Sequence, residues 1–260
     1  YAFASRGYKS GGTNVVTGAP FEPEHVNDFE LGLKSRLLDG RLQTQIGAYY
    51  MKYQDMQEDS YNAYAGYMDE VVNLGNSTIK GIEASAQTRI AGLGINIGLA
   101  YNDSVLGAIN NPAALVDGGV VATYRLPLAV QQNPNAFPAA TFNYAPYTEV
   151  VSGEQNPYSP KFTANVTLDY SIPVGSNTLR PQVSYSHTAK QYASLFQQDG
   201  FYLMPARNLW DASLSYEAGN WLAQLYVKNL SNSVYIAGYS GNAEYYGDPR
   251  QMGVRIRKSF

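Results

Sequence analysis

Apolar and polar residues alternate with a period of two along almost the whole chain. Leu42, Thr44, Ile46, Ala48 and Tyr50 alternate with Gln43, Gln45, Gly47 and Tyr49. Phe162, Ala164, Val166, Leu168 and Tyr170 alternate with Thr163, Asn165, Thr167 and Asp169. Trp221, Ala223, Leu225 and Val227 alternate with Leu222, Gln224, Tyr226 and Lys228. Only an extended strand places successive side chains on opposite faces, so this pattern constrains the fold more than any other feature. The same reading applies to segments opening at Phe29, Ile82, Ile95, Leu179, Trp210 and Met252. With the opening Tyr1–Tyr8 stretch, it predicts an all-β chain of about ten strands.

Composition removes several alternatives. No apolar run approaches the ~18 residues that a membrane helix needs, so a helical membrane protein is excluded. The 260 residues carry a formal net charge of -3, which disfavours a nucleic-acid binder that works through a basic field. There is no Cys, hence no disulfide framework, thiolate metal site or Cys nucleophile. Only 15% of residues are charged, yet mean hydropathy is -0.29, because Tyr, Gly and uncharged polar residues supply the polarity.

The connections separate a soluble sandwich from a membrane barrel. Short ones centre on Asp39-Gly40, Ala91-Gly92-Leu93-Gly94, Gly175-Ser176-Asn177 and Gly219-Asn220, all hairpin-turn sequences. Long ones cover roughly 9–26, 54–76, 107–158, 190–206 and 231–248. With antiparallel neighbours, every short turn falls on one rim and every long loop on the other. That asymmetry is the signature of an outer-membrane barrel, with short periplasmic turns and long extracellular loops. Tyr50, Tyr101, Tyr170, Tyr185, Tyr216 and Trp221 sit near strand ends on the apolar face, where rings form a girdle at the lipid–water boundary. The opposite face carries Glu30, Lys34, Glu83, Arg89, Asp169, Asp211, Arg255 and Arg257, which suit a hydrated lumen. The expected fold is therefore a transmembrane antiparallel β-barrel segment.

Several phrases, taken in order, resemble one family. Phe21-Glu22-Pro23-Glu24 followed by Phe29-Glu30-Leu31-Gly32-Leu33-Lys34 resembles a strand entry of TonB-dependent outer-membrane receptors. Asp39-Gly40-Arg41-Leu42 running to Tyr49-Tyr50 and Tyr53-Gln54-Asp55-Met56-Gln57 is similar to the next hairpin. Asn73-Leu74-Gly75-Asn76 into Lys80-Gly81-Ile82-Glu83, Val227-Lys228-Asn229-Leu230 with Tyr235, and Gly247-Asp248-Pro249-Arg250-Gln251 through Phe260 continue the likeness. The resemblance implies a barrel of roughly 22 strands around an N-terminal plug. It also implies import of a scarce bulky nutrient (a ferric siderophore, haem, cobalamin or a glycan) energised through TonB. On that reading residues 1–260 are the C-terminal portion of the barrel, and the plug, the TonB box and the preceding strands lie outside this sequence. Ten such strands expressed alone are not expected to transport, because their two free edges would face lipid unpaired. The implied partners are outer-membrane lipid and lipopolysaccharide, a TonB-type coupling protein and the nutrient. Covalent chemistry and a cofactor are not implied.

Candidate site residues follow from loop composition. Tyr61, Tyr64, Tyr67, Tyr144, Tyr147, Tyr158, Tyr239, Tyr245 and Tyr246 crowd the long loops and form a candidate ligand vestibule, since Tyr offers wide contact area with one polar tip. Ordinary loop packing explains the same residues. Terminal Phe260 matches the outer-membrane insertion signal, although Lys258 departs from the apolar residue usual at that step and is expected to snorkel. His25 and His187 lack partners at metal-ligand spacing, and Asp28/Glu30 and Asp69/Glu70 read as solvated charge. Two other readings stay open on the residues alone. One is a complete ten-stranded outer-membrane hydrolase using His187 with Asp199 or Asp211; the other is a passive porin or adhesin barrel.

Overall fold

The computed structural model describes all residues except 16, 63–67, 110–119, 123–124, 134–135, 139–140, 199 and 241–242. Ten strands run in one antiparallel path, each paired with its neighbours in sequence. They are β1 (Ala2–Lys9), β2 (Glu24–Leu37), β3 (Leu42–Asn62), β4 (Met68–Ile90) and β5 (Leu93–Ile109). Then come β6 (Phe162–Tyr170), β7 (Asn177–Thr188), β8 (Arg207–Ala218), β9 (Trp221–Lys228) and β10 (Gln251–Lys258). The three residues Ile172–Val174 continue β6 alongside β7. Among the described residues, β1 and β10 do not pair with each other, so the sheet is an open wall with two edges.

The turns form where the sequence allows positive φ. Ala91 and Gly92 link β4 to β5 with φ of 46° and 86°. Positive φ at both central residues gives the right-handed twist that a two-residue hairpin needs. Gly175 and Gly219 do similar work at φ of 62° and 56°. The reach of the 54–76 segment differs from the sequence expectation. Among its described residues β3 and β4 run on together to Asn62 and Met68, paired on both sides of one irregularity. A bulge between Tyr53 and Gln57, with Asp55 at φ 53°, shifts the register there. Extra residues in one strand disturb a simple period of two, which is why the pattern did not reveal the pairing. At ~3.3 Å per residue, the hairpin stands about 40 Å beyond Tyr50.

Register fixes which side chains share a face. Phe29, Leu31 and Leu33 lie opposite Tyr50, Ala48 and Ile46. Ile46 lies opposite Ala84, Ala84 opposite Leu99, and Leu99 opposite Ala164. Val166 lies between Ile97 and Tyr185, and Leu225 between Leu214 and Val254. Phe29, Leu33, Ile46, Leu99, Leu214 and Val254 are exposed, as are Leu31 at 66% and Leu225 at 56%, while Val166, Ile97 and Tyr185 are half-buried. A water-soluble sheet would cover such a face, whereas here it makes a continuous outer band. Tyr50 and Tyr101 bound it above, and Tyr170, Tyr216 and Trp221 below. At the lower boundary Lys258 holds its ammonium 5.0 Å from the Trp221 ring and 5.3 Å from Phe260. That is the snorkelling geometry: stem along the apolar face, charge at the aqueous edge.

The other face is concave and polar. Lys34, Gln45, Ser85, Asn96, Asn165 and Thr167 come from five successive strands and line one trough of about 700 Å³. At its periplasmic end Arg89 grips Asp169 with two bonds of 3.0 and 2.7 Å. Arg180 approaches Asp169 at 3.9 Å and Glu217 at 3.2 Å, so a chain of alternating charge crosses β4 to β8.

Gly81 shows how the two faces are built at one motif. Lys80 pairs with Asp103 at 3.5 Å on the outer face, and Ile82 joins the apolar band. Gly81 leaves room for the Tyr49 ring to lie across the strand, so that its hydroxyl donates to Asn102 at 3.0 Å. A Cβ there would strike that ring and the Tyr101 carbonyl. We therefore expect Gly81→Val to displace Tyr49 and cost a few kcal/mol, about the range of an overpacked core. Urea titration of the protein in lipid vesicles checks this.

Candidate ligand-binding site

The outer ends of the strands carry a layer of packed connections. Residues 10–23 are strapped to the β3–β4 hairpin by side-chain amides. Asn14 donates to Val71 O at 2.9 Å and accepts from Val71 N at 2.8 Å. Asn73 does the same with Glu22, donating at 2.9 Å and accepting at 2.8 Å. Each amide thus imitates a strand neighbour and satisfies a backbone pair that an exposed edge would leave open. Val72, Leu74, Leu106, Val151 and Leu195 are buried together, joining the hairpin, β5 and the loops after β5 and β7.

The connection between β5 and β6 has its own core of Val121, Leu126, Val130 and Tyr144. It contains a short pair, Val120–Val121 with Thr148–Glu149, and one turn of helix, α1 (Leu128–Gln132). Glu149 is fully buried, and it accepts from Arg125 at 3.2 Å and from the Gln198 backbone at 3.1 Å. A buried carboxylate needs such partners, and this one ties two loops together. The returning segment is anchored at Asn156, which bonds Ser77 and Ser104.

Above these clusters three connections meet at a group of tyrosines. The hairpin of Ile236–Ser240 with Ala243–Tyr246 leans on the loops after β5 and β7. Tyr239 N donates to the Tyr158 hydroxyl at 3.3 Å, and the Tyr239 ring meets Tyr202 edge-on at 5.4 Å. The hydroxyls of Tyr239 and Tyr246 both donate to Glu244, at 3.3 and 2.6 Å. Burial first, and then the Glu244 charge, pushes the Tyr239 phenol up to about 12. The hydrogen bond to Glu244 likewise raises Tyr246. Both phenols therefore stay protonated donors over the whole physiological range, and the carboxylate is fixed in place.

The nine loop tyrosines divide by position. Tyr158, Tyr239, Tyr245 and Tyr246 gather at this meeting of loops, with Tyr158, Tyr245 and Tyr246 at least half exposed. Tyr144 is only 2% exposed, its hydroxyl donating to Phe137 O, and Tyr147 stacks on Phe142. Those two pack the loop itself. Tyr61 lies on β3 with its side chain outside the described atoms, and Tyr64 and Tyr67 fall outside the described residues. Tyr202, Phe201 and Glu244 belong to the group but were not singled out by sequence. A lone carboxylate and two aromatics in a loop carry no periodic signal, although the density of Tyr around them did point to the region. Of the two partners considered for His187 in a hydrolase, Asp211 is not brought to it. His187 bonds Asn208 at 2.8 Å on the outer face, whereas Asp211 has the opposite parity and accepts from Asn229 N. Asp199 lies outside the described residues.

Glu58 sits on the hairpin beyond the girdle. Burial, then the neighbouring charges of Asp59 and Glu24, raise its carboxyl from 4.5 to about 7, against an opposing pull from Lys9. A carboxyl raised on folding binds its proton more tightly in the folded state. Its stabilising contribution is full below 4.5 and is lost as pH rises through 7. We expect the hairpin to weaken by about 2 kcal/mol across that window, allowing for residual water contact. Glu58→Gln should abolish the slope. Hydrogen exchange of residues 53–62 at pH 5 and pH 8 measures it; equal protection at both values in the unsubstituted protein would refute the assignment.

An outward apolar band, aromatic boundaries, a polar concave face and a folded outer layer together define the wall of an outer-membrane β-barrel. The family model described as "TonB dependent receptor-like, beta-barrel" matches residues 1–230, and the chain belongs to that family. Its place is the bacterial outer membrane. The ferric yersiniabactin uptake receptor FyuA from Yersinia pestis superposes with a TM-score of 0.71 at 19% identity, covering 100% of this chain and 34% of that one. The siderophore receptor PiuA from Acinetobacter baumannii gives 0.68 at 19% identity, over 98% and 33%. The pyoverdine receptor FpvA from Pseudomonas aeruginosa, bound to pyoverdine, gives 0.62 at 16% identity, over 100% and 33%. At these identities the likeness is one of fold. The chain spans about a third of the length of the solved receptors it resembles.

Proposed function

We propose that this chain is the C-terminal part of the wall of an outer-membrane receptor that takes up a scarce, bulky nutrient: a ferric siderophore, haem, cobalamin or a glycan. The observation that carries the reading is the polar trough on the concave face, overlain at the outer rim by loops that converge on exposed tyrosines. A passive pore has no need of a cross-braced outer layer. A receptor does, because a pre-organised site loses less freedom on binding. The solved receptors with the same wall are named for siderophore uptake, which favours an iron complex within that set.

In the proposal the two open edges pair with further strands of the same protein and a plug fills the trough. TonB supplies the energy through a segment ahead of that plug. Outer-membrane lipid and lipopolysaccharide cover the apolar band, and Phe260, at the open end of β10, serves insertion. Deleting the full-length gene tests the reading. Growth should fail on a single defined source of iron, cobalamin or glycan, and dissipating the proton gradient should stop uptake while leaving surface binding intact. Unimpaired growth on every source would reject it.

A further inference from the structure

We infer that the outward face of β1–β4, just beyond the outer aromatic boundary, binds the phosphate of an outer-leaflet lipid through Arg6 and Lys52. The inference rests on the outer-membrane wall and not on the choice of nutrient. Register places Arg6, Asn27, Lys52 and Thr78 opposite one another in one row across these strands. They share the parity of Phe29, Tyr50 and Ile82, so they point away from the lumen. Lys52 follows Tyr50 by two positions, which at ~3.3 Å per residue sets the row about 7 Å outside the apolar band. That is headgroup depth, since the polar layer adds roughly 5–8 Å on each side of the hydrocarbon. Arg6 and Lys52 are exposed, and among the described residues neither has an ion pair. Two strands apart, their backbones are about 10 Å from each other. One phosphate fills that gap: the guanidinium takes two of its oxygens in a planar fork, and the ammonium takes a third.

The charge balance at this level is positive. Lys80 lies diagonal to Lys52, paired with Asp103 at 3.5 Å but with its side chain still 60% exposed. Below the bulge, Asp103 is the acid that β1–β5 place on this face. Asp28, Glu30 and Glu83 have the opposite parity and face the lumen, as do Lys9 and Glu24, which lie opposite each other. Asp55 stands at the bulge, about 10 Å further out at the same rise per residue. Glu58 and Asp59 follow about 20 Å out, and Asp69 and Glu70 pair still further along the hairpin. Physiological salt screens exposed charges beyond about 8 Å, so Arg6, Lys52 and Lys80 against Asp103 set the local sign. One row out stand Tyr8 and His25, ring centroids 6.5 Å apart, and neither adds negative charge. The cations are also gathered rather than spread. Among the described residues, no outward strand position of β5–β9 carries Lys or Arg, and β10 carries only Lys258, at the inner boundary. Cations that merely return their charge to water would have no reason to collect on neighbouring strands at one rim. On the receptor reading β1 gains a neighbour at its free edge, which leaves its outward face as it is.

The experiment uses the full-length receptor in detergent, with a chelator present so that divalent cations do not neutralise the lipid. The probes are a bis-phosphorylated glucosamine lipid, the same lipid stripped of its phosphates, and inorganic phosphate. Native mass spectrometry reads the affinities. At low salt the phosphorylated lipid should bind about tenfold more tightly than the stripped one, and high salt should shrink that preference. Arg6→Gln combined with Lys52→Gln should bring the two lipids to within about threefold, the range left to exposed charges elsewhere. Lys258→Gln, at the other rim, and the charge-conserving Lys52→Arg should both keep the preference. Excess inorganic phosphate should not displace the lipid, because its acyl chains also lie on the apolar band. Equal affinity for the two lipids, an undiminished preference in the double variant, an equal loss in Lys258→Gln, or full displacement by inorganic phosphate would overturn the inference. Any of these results beside a growth defect on one nutrient source would sink this inference alone. Unimpaired growth on every source would instead reject uptake and leave the lipid site standing.

Discussion

Val166→Arg should lower the stability of the wall in a bilayer by about 2–4 kcal/mol, while Asn165→Arg one residue away should cost less than about 1 kcal/mol. The two positions are neighbours on β6, so local strand propensity barely distinguishes them. Their surroundings do. Val166 is the middle of the outward row from Phe162 to Tyr170, both of which lie at aromatic boundaries, and its strand neighbours are Ile97 and Tyr185. An Arg there lies at the bilayer midplane, too far from either aqueous edge for a full snorkel. Asn165 faces the polar trough, where a guanidinium stays hydrated. Urea unfolding in vesicles gives the free energies, and spin labels at the two sites give the solvent directly. Similar costs, or labels reporting one common dry environment, would contradict a lipid-facing wall.

The second large effect is expected at Asp169. Its side chain is only 8% exposed, and two arginines point at it. Asp169→Ala removes the carboxylate and leaves Arg89 without its partner, while Arg180 keeps only Glu217 at 3.2 Å. Breaking a buried pair from one side costs about 3–5 kcal/mol, but Arg89 is half exposed and can return to water, so about 2 kcal/mol is expected here. Arg89→Ala should cost less, since Arg180 still faces the buried carboxylate. The double substitution should cost less than the two singles together, because the second removes a charge that the first had orphaned. Strict additivity in the same vesicle assay would show that the contact contributes nothing.

Much of this wall is legible in the sequence alone. Parity along Leu42–Tyr50 or Phe162–Tyr170 could be read because lipid and water sort side chains residue by residue, with no need of distant partners. The Ala91-Gly92 turn was legible because positive φ restricts residue choice locally. The Lys80-Gly81-Ile82-Glu83 phrase could be recognised by likeness, yet its reason could not: the glycine answers to a tyrosine on the adjacent strand. The 54–76 segment was misjudged as a loop because a bulge at Asp55 broke the rhythm by which strands are found. Among the loop tyrosines, composition marked the region but did not separate Tyr144, which packs its own loop, from Tyr246, which stands open beside Glu244.

The sequence by itself determined the strand count, the two faces and the rim on which the long connections lie, because each depends on near neighbours and on the solvent a side chain meets. Only the tertiary structure decided that five separate connections cross-brace into one outer layer, and that Tyr158, Tyr202, Tyr239 and Glu244 meet within it. Those meetings join residues up to 81 positions apart through single hydrogen bonds and ring contacts. Such contacts leave no period in the chain, and loop closure over that distance costs little more than over a short one. Nothing local therefore announces them.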